Sequence, residues 1–196
     1  MLHELPVDAS CPACGKPKLV LRTSADSLAY FGDALHSVLL CGACGYKQAR
    51  TTFLEMRPPA RCTLRFRAPG DLAVRVVRSY NAEWRVPELG FTATPSEASE
   101  AFVSNIEGML ERIRDVLVRA VVLDADARPQ AEALLAKLDR ILHGHEEATL
   151  VLEDPAGHSA ILSERTVIEP LDPAEAEAML AATHAGFVDA TDLAGA

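Results

Sequence analysis

Four cysteines stand in two similar five-residue segments near the N-terminus. The first segment, CPACG, contains Cys11 and Cys14, and the second, CGACG, contains Cys41 and Cys44. A spacer of two residues lets both sulfurs of a pair reach one metal ion, and zinc accepts four thiolates in a tetrahedral arrangement. Because four thiolates leave no coordination position open, the pattern predicts one structural Zn²⁺ ion and not a catalytic one.

The fifth cysteine and three histidines are further candidate ligands. Cys62 lies in the strand-like segment RCTLRFR, and we interpret it as a small buried residue. A redox role for the cysteine pairs is disfavoured because no βαβ pattern surrounds them. His143, His145 and His158 leave a second metal site as an alternative, although His143 and His145 follow a predicted helix end, where histidine is favourable for the helix dipole.

Composition limits the class of protein. The chain has 196 residues, enough for a substantial core, and no apolar run near the roughly 20 residues that span a bilayer. Its first ten residues lack a signal-peptide pattern, so we expect a cytoplasmic protein without a membrane partner. No serine–histidine–acid arrangement, phosphate-binding loop or carboxylate pair rises above chance, and we therefore expect no enzyme.

Charge is divided unequally along the chain. Residues 16–85 contain twelve Lys and Arg residues against five Asp and Glu residues, whereas the rest of the chain contains seven against twenty-three. The basic part could attract nucleic acid or an acidic protein surface, and the acidic part would repel a long polyanion. Charge alone does not choose between these partners.

The elements that hold the cysteines are predicted to be strands. Residues 19–23 and 36–40 have β-type composition and are separated by a polar segment that we expect to be a loop, and residues 48–56 predict a third strand. This order is typical of a zinc ribbon. The prolines at positions 58 and 59 end it, which gives a predicted N-terminal zinc ribbon over residues 1–57.

The remainder predicts a β-rich domain over residues 58–172, followed by a C-terminal helix and tail over residues 173–196. Residues 62–67 and 72–79 alternate, with Leu64, Phe66, Val74 and Val76 on one face and arginines on the other. Apolar residues at helical spacing predict a helical hairpin at about residues 104–143. The fold class is therefore α+β, mostly β, with the hairpin inserted between strands.

Two helix starts carry capping signals. Ser104 and Glu107 have the spacing of a capping box ahead of the first helix. Asp172 is the predicted cap of the last helix, with Pro173 at its first position and Glu175 completing the box.

Several motifs carry a family resemblance. The segments YFGD before the second cysteine pair, CGACGY, IEG at residues 106–108 and DPAG at residues 154–157 resemble the ZPR-type zinc-finger family. The resemblance extends from residue 11 to about residue 170, and the chain is similar to the single-module, archaeal-like form. Two segments depart from the family pattern: residues 96–105 replace a glycine-rich stretch that ends in two threonines, and His158 stands where an asparagine is usual.

The resemblance implies both a fold and a partner. It implies a double-stranded β-helix-like A-domain with an inserted α-helical hairpin behind the ribbon, and zinc ligation by the four cysteines. Eukaryotic members bind translation elongation factor one-alpha and act as its folding chaperone, so the expected partner is this GTPase. The candidate contact residues are basic or aromatic: Lys47, Arg50, Arg65, Arg67, Tyr30, Phe31 and Tyr46.

Three alternatives to this interpretation stay open. The three aromatic residues could instead pack within the ribbon and against the A-domain. The protein could be a zinc-ribbon nucleic-acid-binding protein of transcription or translation, with affinity that falls steeply with salt. An enzyme would require a second bound metal beyond the four-cysteine zinc, since double-stranded β-helices often hold a catalytic metal.

Overall fold

The structure is a computed structural model and describes residues 2–55, 57–96 and 99–184. These residues form two compact units, one of residues 2–55 and one of Arg57–His184. The tail that the sequence predicts after the last helix lies outside the described residues.

The first unit contains one antiparallel sheet with its four strands in chain order. Its strands are β1 (His3–Val7), β2 (Leu19–Leu28), β3 (Gly32–Cys41) and β4 (Lys47–Phe53). The loop predicted over residues 24–34 is shorter in the structure and consists of residues 29–31, because β2 and β3 pair continuously from Leu19 and Cys41 to Leu28 and Gly32. Polar residues do not interrupt a strand when its face meets water.

The second unit contains two antiparallel sheets. Its strands are β5 (Ala60–Phe66), β6 (Arg75–Arg78), β7 (Glu83–Val86), β8 (Phe91–Ala93), β9 (Phe102–Asn105), β10 (Ala148–Asp154), β11 (Ala160–Leu162) and β12 (Val167–Pro170). One sheet has the order β12-β5-β10-β7-β8 and the other has the order β11-β6-β9. The predicted class, mostly β with helices, is confirmed.

Buried and exposed residues alternate along β5, and the buried ones belong to the core of the second unit. Leu64 and Phe66 are buried, as predicted, whereas Arg65 between them is exposed. Arg78 departs from the predicted alternation: it was expected on the face opposite the apolar residues, and it is only 6 % exposed beside the buried Val76 and Val77. Its guanidinium donates hydrogen bonds to the carbonyl oxygens of Ala82 and Glu100, which replace the water that burial removes.

Three α-helices and a short 3₁₀ helix (Pro87–Leu89) complete the described part of the second unit. The α-helices are α1 (Ile106–Leu123), α2 (Arg128–Leu142) and α3 (Pro173–His184). Helices α1 and α2 bury apolar residues in a shared core, and an ion pair of 2.8 Å joins Arg114 to Asp139 between them. None of the helices in the described ranges is long and apolar enough to cross a membrane.

The caps of α1 and α3 test the two predicted starts. Helix α1 begins later than predicted, and its cap is Asn105, whose side-chain oxygen accepts a hydrogen bond of 2.8 Å from the Gly108 backbone. The capping box on Ser104 is therefore wrong, because that residue still belongs to strand β9. The cap on Asp172 is confirmed, since its carboxylate accepts from the backbone of Ala174 at 2.9 Å.

The DPAG segment forms a buried turn after β10. The Asp154 carboxylate is 1 % exposed and accepts hydrogen bonds from the Ala156 backbone, the His158 backbone and the Ser159 hydroxyl, at 2.8, 2.9 and 2.6 Å. Gly157 has a φ of +68°, a conformation that side-chain-bearing residues rarely adopt. The turn is thus held by one buried carboxylate and one left-handed glycine.

Candidate metal centre

The two cysteine pairs lie in two turns that have the same local geometry. The Gly15 backbone N–H donates to the Cys11 carbonyl at 2.8 Å, and the Gly45 N–H donates to the Cys41 carbonyl at 3.0 Å. Both glycines have positive φ, +69° and +77°. This left-handed step after the second cysteine is the physical reason for the repeated Cys-x-x-Cys-Gly sequence.

The β2–β3 hairpin brings the two turns together. The first turn lies between β1 and β2, and the second lies between β3 and β4. Leu19 at the start of β2 pairs with Cys41 at the end of β3, and the Gly42 backbone donates to the Lys18 carbonyl at 2.9 Å. The predicted zinc-ribbon arrangement therefore places both turns at one end of the sheet.

The four sulfur atoms converge at a spacing that suits zinc. The Sγ atoms of Cys11 and Cys44 are 3.8 Å apart, as are those of Cys14 and Cys41. All four lie within 4.8 Å of one another. A tetrahedral site with zinc–sulfur bonds of about 2.3 Å has sulfur–sulfur edges of about 3.8 Å. The four residues could therefore hold a metal ion, and two of their sulfur–sulfur distances match the edges of such a site.

Hydrogen bonds contribute to different pKa values for the thiols of Cys14 and Cys41. The Ala43 backbone N–H points at the Cys41 sulfur at 3.4 Å, and it lowers the pKa of Cys41 to about 6. A backbone hydrogen bond at Lys16 lowers the pKa of Cys14, but burial and hydrogen bonds with the other three thiols outweigh it and raise that pKa to about 12. Four thiolates so close together need a cation to compensate their charge.

Two of the metal ligands belong to a small buried cluster in the first unit. Cys11, Cys41 and Leu19 form this cluster around the site, and Tyr46 packs partly against them. Phe31, Ala34 and Phe53 of the same unit are buried as well. This cluster is small compared with the core of the second unit. The first unit therefore has little apolar burial with which to offset the conformational entropy of folding.

The other candidate ligands lie elsewhere. Cys62 is 3 % exposed in the core of the second unit, where burial raises the pKa of its thiol, so its predicted burial is confirmed. The rings of His143 and His145 stack with centroids 6.4 Å apart, and His158 is buried in the turn after β10. Within residues 2–55, 57–96 and 99–184, the four cysteines are the one group of three or more such residues that could hold a metal.

The predicted contact residues have different environments. Tyr30 is 42 % exposed, but Phe31 is buried and stacks on Phe53 with ring centroids 4.9 Å apart, so Phe31 is not a surface anchor. Lys47 is exposed on the edge strand β4 of the first unit. Arg65 belongs to the second unit, where it forms an ion pair with Glu147.

Sequence comparisons place the chain among known proteins. Residues 70–175 match the model of the ZPR1 jelly-roll domain, and the two antiparallel sheets of the second unit fit that description. A ZPR1-like protein of Methanocaldococcus jannaschii is 36% identical over 170 residues, which cover 85% of this chain and 86% of that protein. A ZPR1-like protein of Pyrococcus horikoshii is 35% identical over 161 residues, with coverages of 79% and 72%.

A eukaryotic relative is longer. The zinc finger chaperone zpr1 of Schizosaccharomyces pombe is 28% identical over 159 residues, which cover 77% of this chain but 34% of the yeast protein. The shared region is therefore about one third of that relative.

Proposed function

This chain belongs to the ZPR1 family, and on that premise we propose that it is a zinc-binding, non-enzymatic protein that binds translation elongation factor one-alpha and assists its folding. The observation that carries the proposal is the four-cysteine cluster with tetrahedral spacing, in a chain whose yeast relative is named a zinc finger chaperone. The proposal places the protein in the cytoplasm, where the elongation factor works.

The role of the metal in this proposal is structural. Cys11, Cys14, Cys41 and Cys44 would hold one Zn²⁺ ion, and the ion would supply the bonds that close the ribbon. The backbone N–H of Ala43 stabilises negative charge on Cys41, which favours the thiolate that zinc requires. No chemistry on a substrate is assigned to this site, because its four ligand positions are all taken by protein.

The ribbon offers exposed groups of the type that interfaces use. Tyr30 is held at the tip of the β2–β3 hairpin with a φ of 72°, and its side chain is 42 % exposed. Aromatic residues of this kind are frequent hot spots of binding energy. We further interpret α1 and α2 as a hairpin inserted between β9 and β10 of the jelly roll.

A refolding experiment tests the chaperone function. Elongation factor one-alpha from the same organism would be unfolded in denaturant and diluted into buffer that contains the zinc-loaded protein. We expect a several-fold higher yield of factor that binds a fluorescent GDP analogue than in the same dilution with albumin. A yield equal to that of the albumin control would contradict the proposal.

A second candidate function follows from the charge balance. Residues 16–85 carry twelve basic residues against five acidic ones, which favours a zinc-ribbon protein that binds nucleic acid. Such binding would weaken steeply between low and moderate salt, because phosphate contacts release counterions. A flat salt response, or no binding to RNA and DNA at low salt, would remove this candidate.

A further inference from the structure

A groove of about 410 Å³ opens on the second unit beside strand β5. We call it the β5 groove; its lining consists of Thr63, Arg65, Phe66, Arg67, Glu147, Arg165 and Val167. Three arginines and one glutamate surround it, so its lining carries an excess of positive charge. Arg165 lies two residues before β12, and the pairing of β12 with β5 brings it into the same groove as the other two arginines. The sequence alone gives no signal for this proximity.

One flank of β5 lacks a neighbour along the groove. Strand β10 pairs with β5 from Ala60 to Phe66 on one side, whereas β12 pairs with it only from Ala60 to Thr63 on the other. In the described part of the chain, no strand continues the second ladder beyond Thr63. This gap beside β5 begins where β12 begins, at the pair of Val167 and Thr63.

Strand β12, which begins at this gap, is itself open to solvent. Strand β12 lies at the edge of its sheet, and all four of its residues are exposed. Val167 and Ile168 are 56% and 68% exposed, which is unusual for apolar residues in a strand. Edge strands of this kind are sites at which extended peptides add to a sheet.

The arginines around the gap have unused hydrogen-bonding capacity. Their side chains are 78% exposed at Arg65, 58% at Arg67 and 57% at Arg165. Glu147 lies 2.6 Å from Arg65 and 3.6 Å from Arg67, so both share one carboxylate, and Arg165 pairs with Asp71. Since each guanidinium has five N–H donors, these arginines can donate hydrogen bonds to further carboxylates.

We propose that the β5 groove binds a short extended segment of a partner protein that carries Asp or Glu side chains. The segment would pair with the open flank of β5 as a continuation of β12, and its carboxylates would contact Arg65, Arg67 and Arg165. This inference rests on the second unit alone, so it does not depend on the elongation factor as the partner.

The same groove is poorly suited to nucleic acid. Glu147 stands in its wall, and the exposed Glu164 and Glu169 flank Arg165 and Val167 in the chain. A phosphate backbone would meet these carboxylates, and the net charge of -9 on the whole chain would repel it further. An extended peptide needs only a few matched contacts, and its backbone can pair with the open flank of β5. Nucleic acid cannot form this backbone pairing.

Selection from a random displayed peptide library tests the proposal on the full-length, zinc-loaded protein. We expect enriched peptides to contain more Asp and Glu than Lys and Arg. A consensus peptide, measured by fluorescence anisotropy, should bind the double variant Arg65→Gln/Arg165→Gln at least roughly tenfold more weakly than the wild type, because charge-assisted hydrogen bonds are lost. The exposed arginine Arg119 on α1 provides the control Arg119→Gln, which should bind like the wild type.

A second variant is expected to bind the acidic peptide more tightly than the wild type does. Glu147→Gln removes the carboxylate that occupies Arg65 and Arg67, so the same peptide should bind several-fold more tightly. No enrichment, a consensus without acidic excess, or equal binding by the wild type and the double variant would overturn the proposal. Binding of an RNA oligonucleotide that is lost in the double variant, without peptide binding, would overturn it in favour of nucleic acid.

Discussion

Replacing Cys41 with serine is expected to unfold the first unit while the second stays folded. Cys41 is both a predicted zinc ligand and part of the small apolar cluster of residues 2–55. Structural zinc supplies roughly 10–16 kcal/mol of binding free energy that is coupled to folding, which far exceeds what so small a core provides. The second unit has a large core of its own, so its stability should change little.

Limited proteolysis, zinc analysis and tryptophan fluorescence check this result together. The chain has one tryptophan, Trp84, which is 4 % exposed in the core of the second unit and therefore reports on that unit alone. We expect rapid cleavage within residues 2–55, loss of zinc and an unchanged Trp84 spectrum. The control is Cys62→Ala, a cysteine outside the cluster, which should keep its zinc. Resistance of the first unit to proteolysis in the Cys41→Ser variant would contradict the structural role of the zinc.

Replacing Gly157 with alanine should have the second largest effect. The residue has a φ of +68°, and an added Cβ would overlap the Pro58 carbonyl oxygen and come within 2.8 Å of the Arg57 Cβ. Backbone strain and a clash with main-chain atoms each cost about 1–3 kcal/mol. We therefore expect the free energy of unfolding of the second unit to fall by about 3 kcal/mol or more.

The glycine at position 90 is the matched control for this substitution. Gly90 also has a positive φ, +59°, but nothing lies within 4 Å of the position that a Cβ would occupy. Alanine there should lose only about 1–2 kcal/mol, from backbone strain alone. Urea unfolding followed by Trp84 fluorescence would measure both variants. Equal losses would show that the contact with Pro58 contributes nothing.

The metal centre was the part of the molecule most accessible from sequence. Spacing and residue type predicted the cluster, because two Cys-x-x-Cys-Gly turns have one common geometry and the sulfurs need only a hairpin to meet. The two strands of the β2–β3 hairpin are longer than the sequence predicts. Its polar residues form strands because a long antiparallel ladder with solvent on its faces does not need apolar side chains.

The second unit shows where local patterns fail. Alternation predicted the burial of Leu64 and Phe66. It also predicts Arg78 on the face opposite the apolar residues, whereas Arg78 is buried and bonded to two carbonyl oxygens. The cap at Asn105 was missed because strand β9 extends through Ser104 and leaves the next polar residue as the cap. The β5 groove has no local signal, since it arises from the lengths of β5 and β12 and their register.

The DPAG motif shows what a family resemblance adds and leaves open. The resemblance singled out residues 154–157, and the structure shows a buried turn in which the Asp154 carboxylate accepts three hydrogen bonds. The motif therefore has a structural role in this turn. The departure at His158 falls in the same turn, where its backbone N–H binds Asp154.

Isothermal titration of the zinc-loaded protein into the elongation factor one-alpha of the same organism, at moderate salt, tests the central claim most directly. We expect binding in the micromolar range or tighter, its loss in the Cys41→Ser variant and its retention in the Cys62→Ala variant. Heat and complex formation that persist after Cys41→Ser would contradict the role of the zinc ribbon. The absence of any complex with the wild-type protein would contradict the proposed partner.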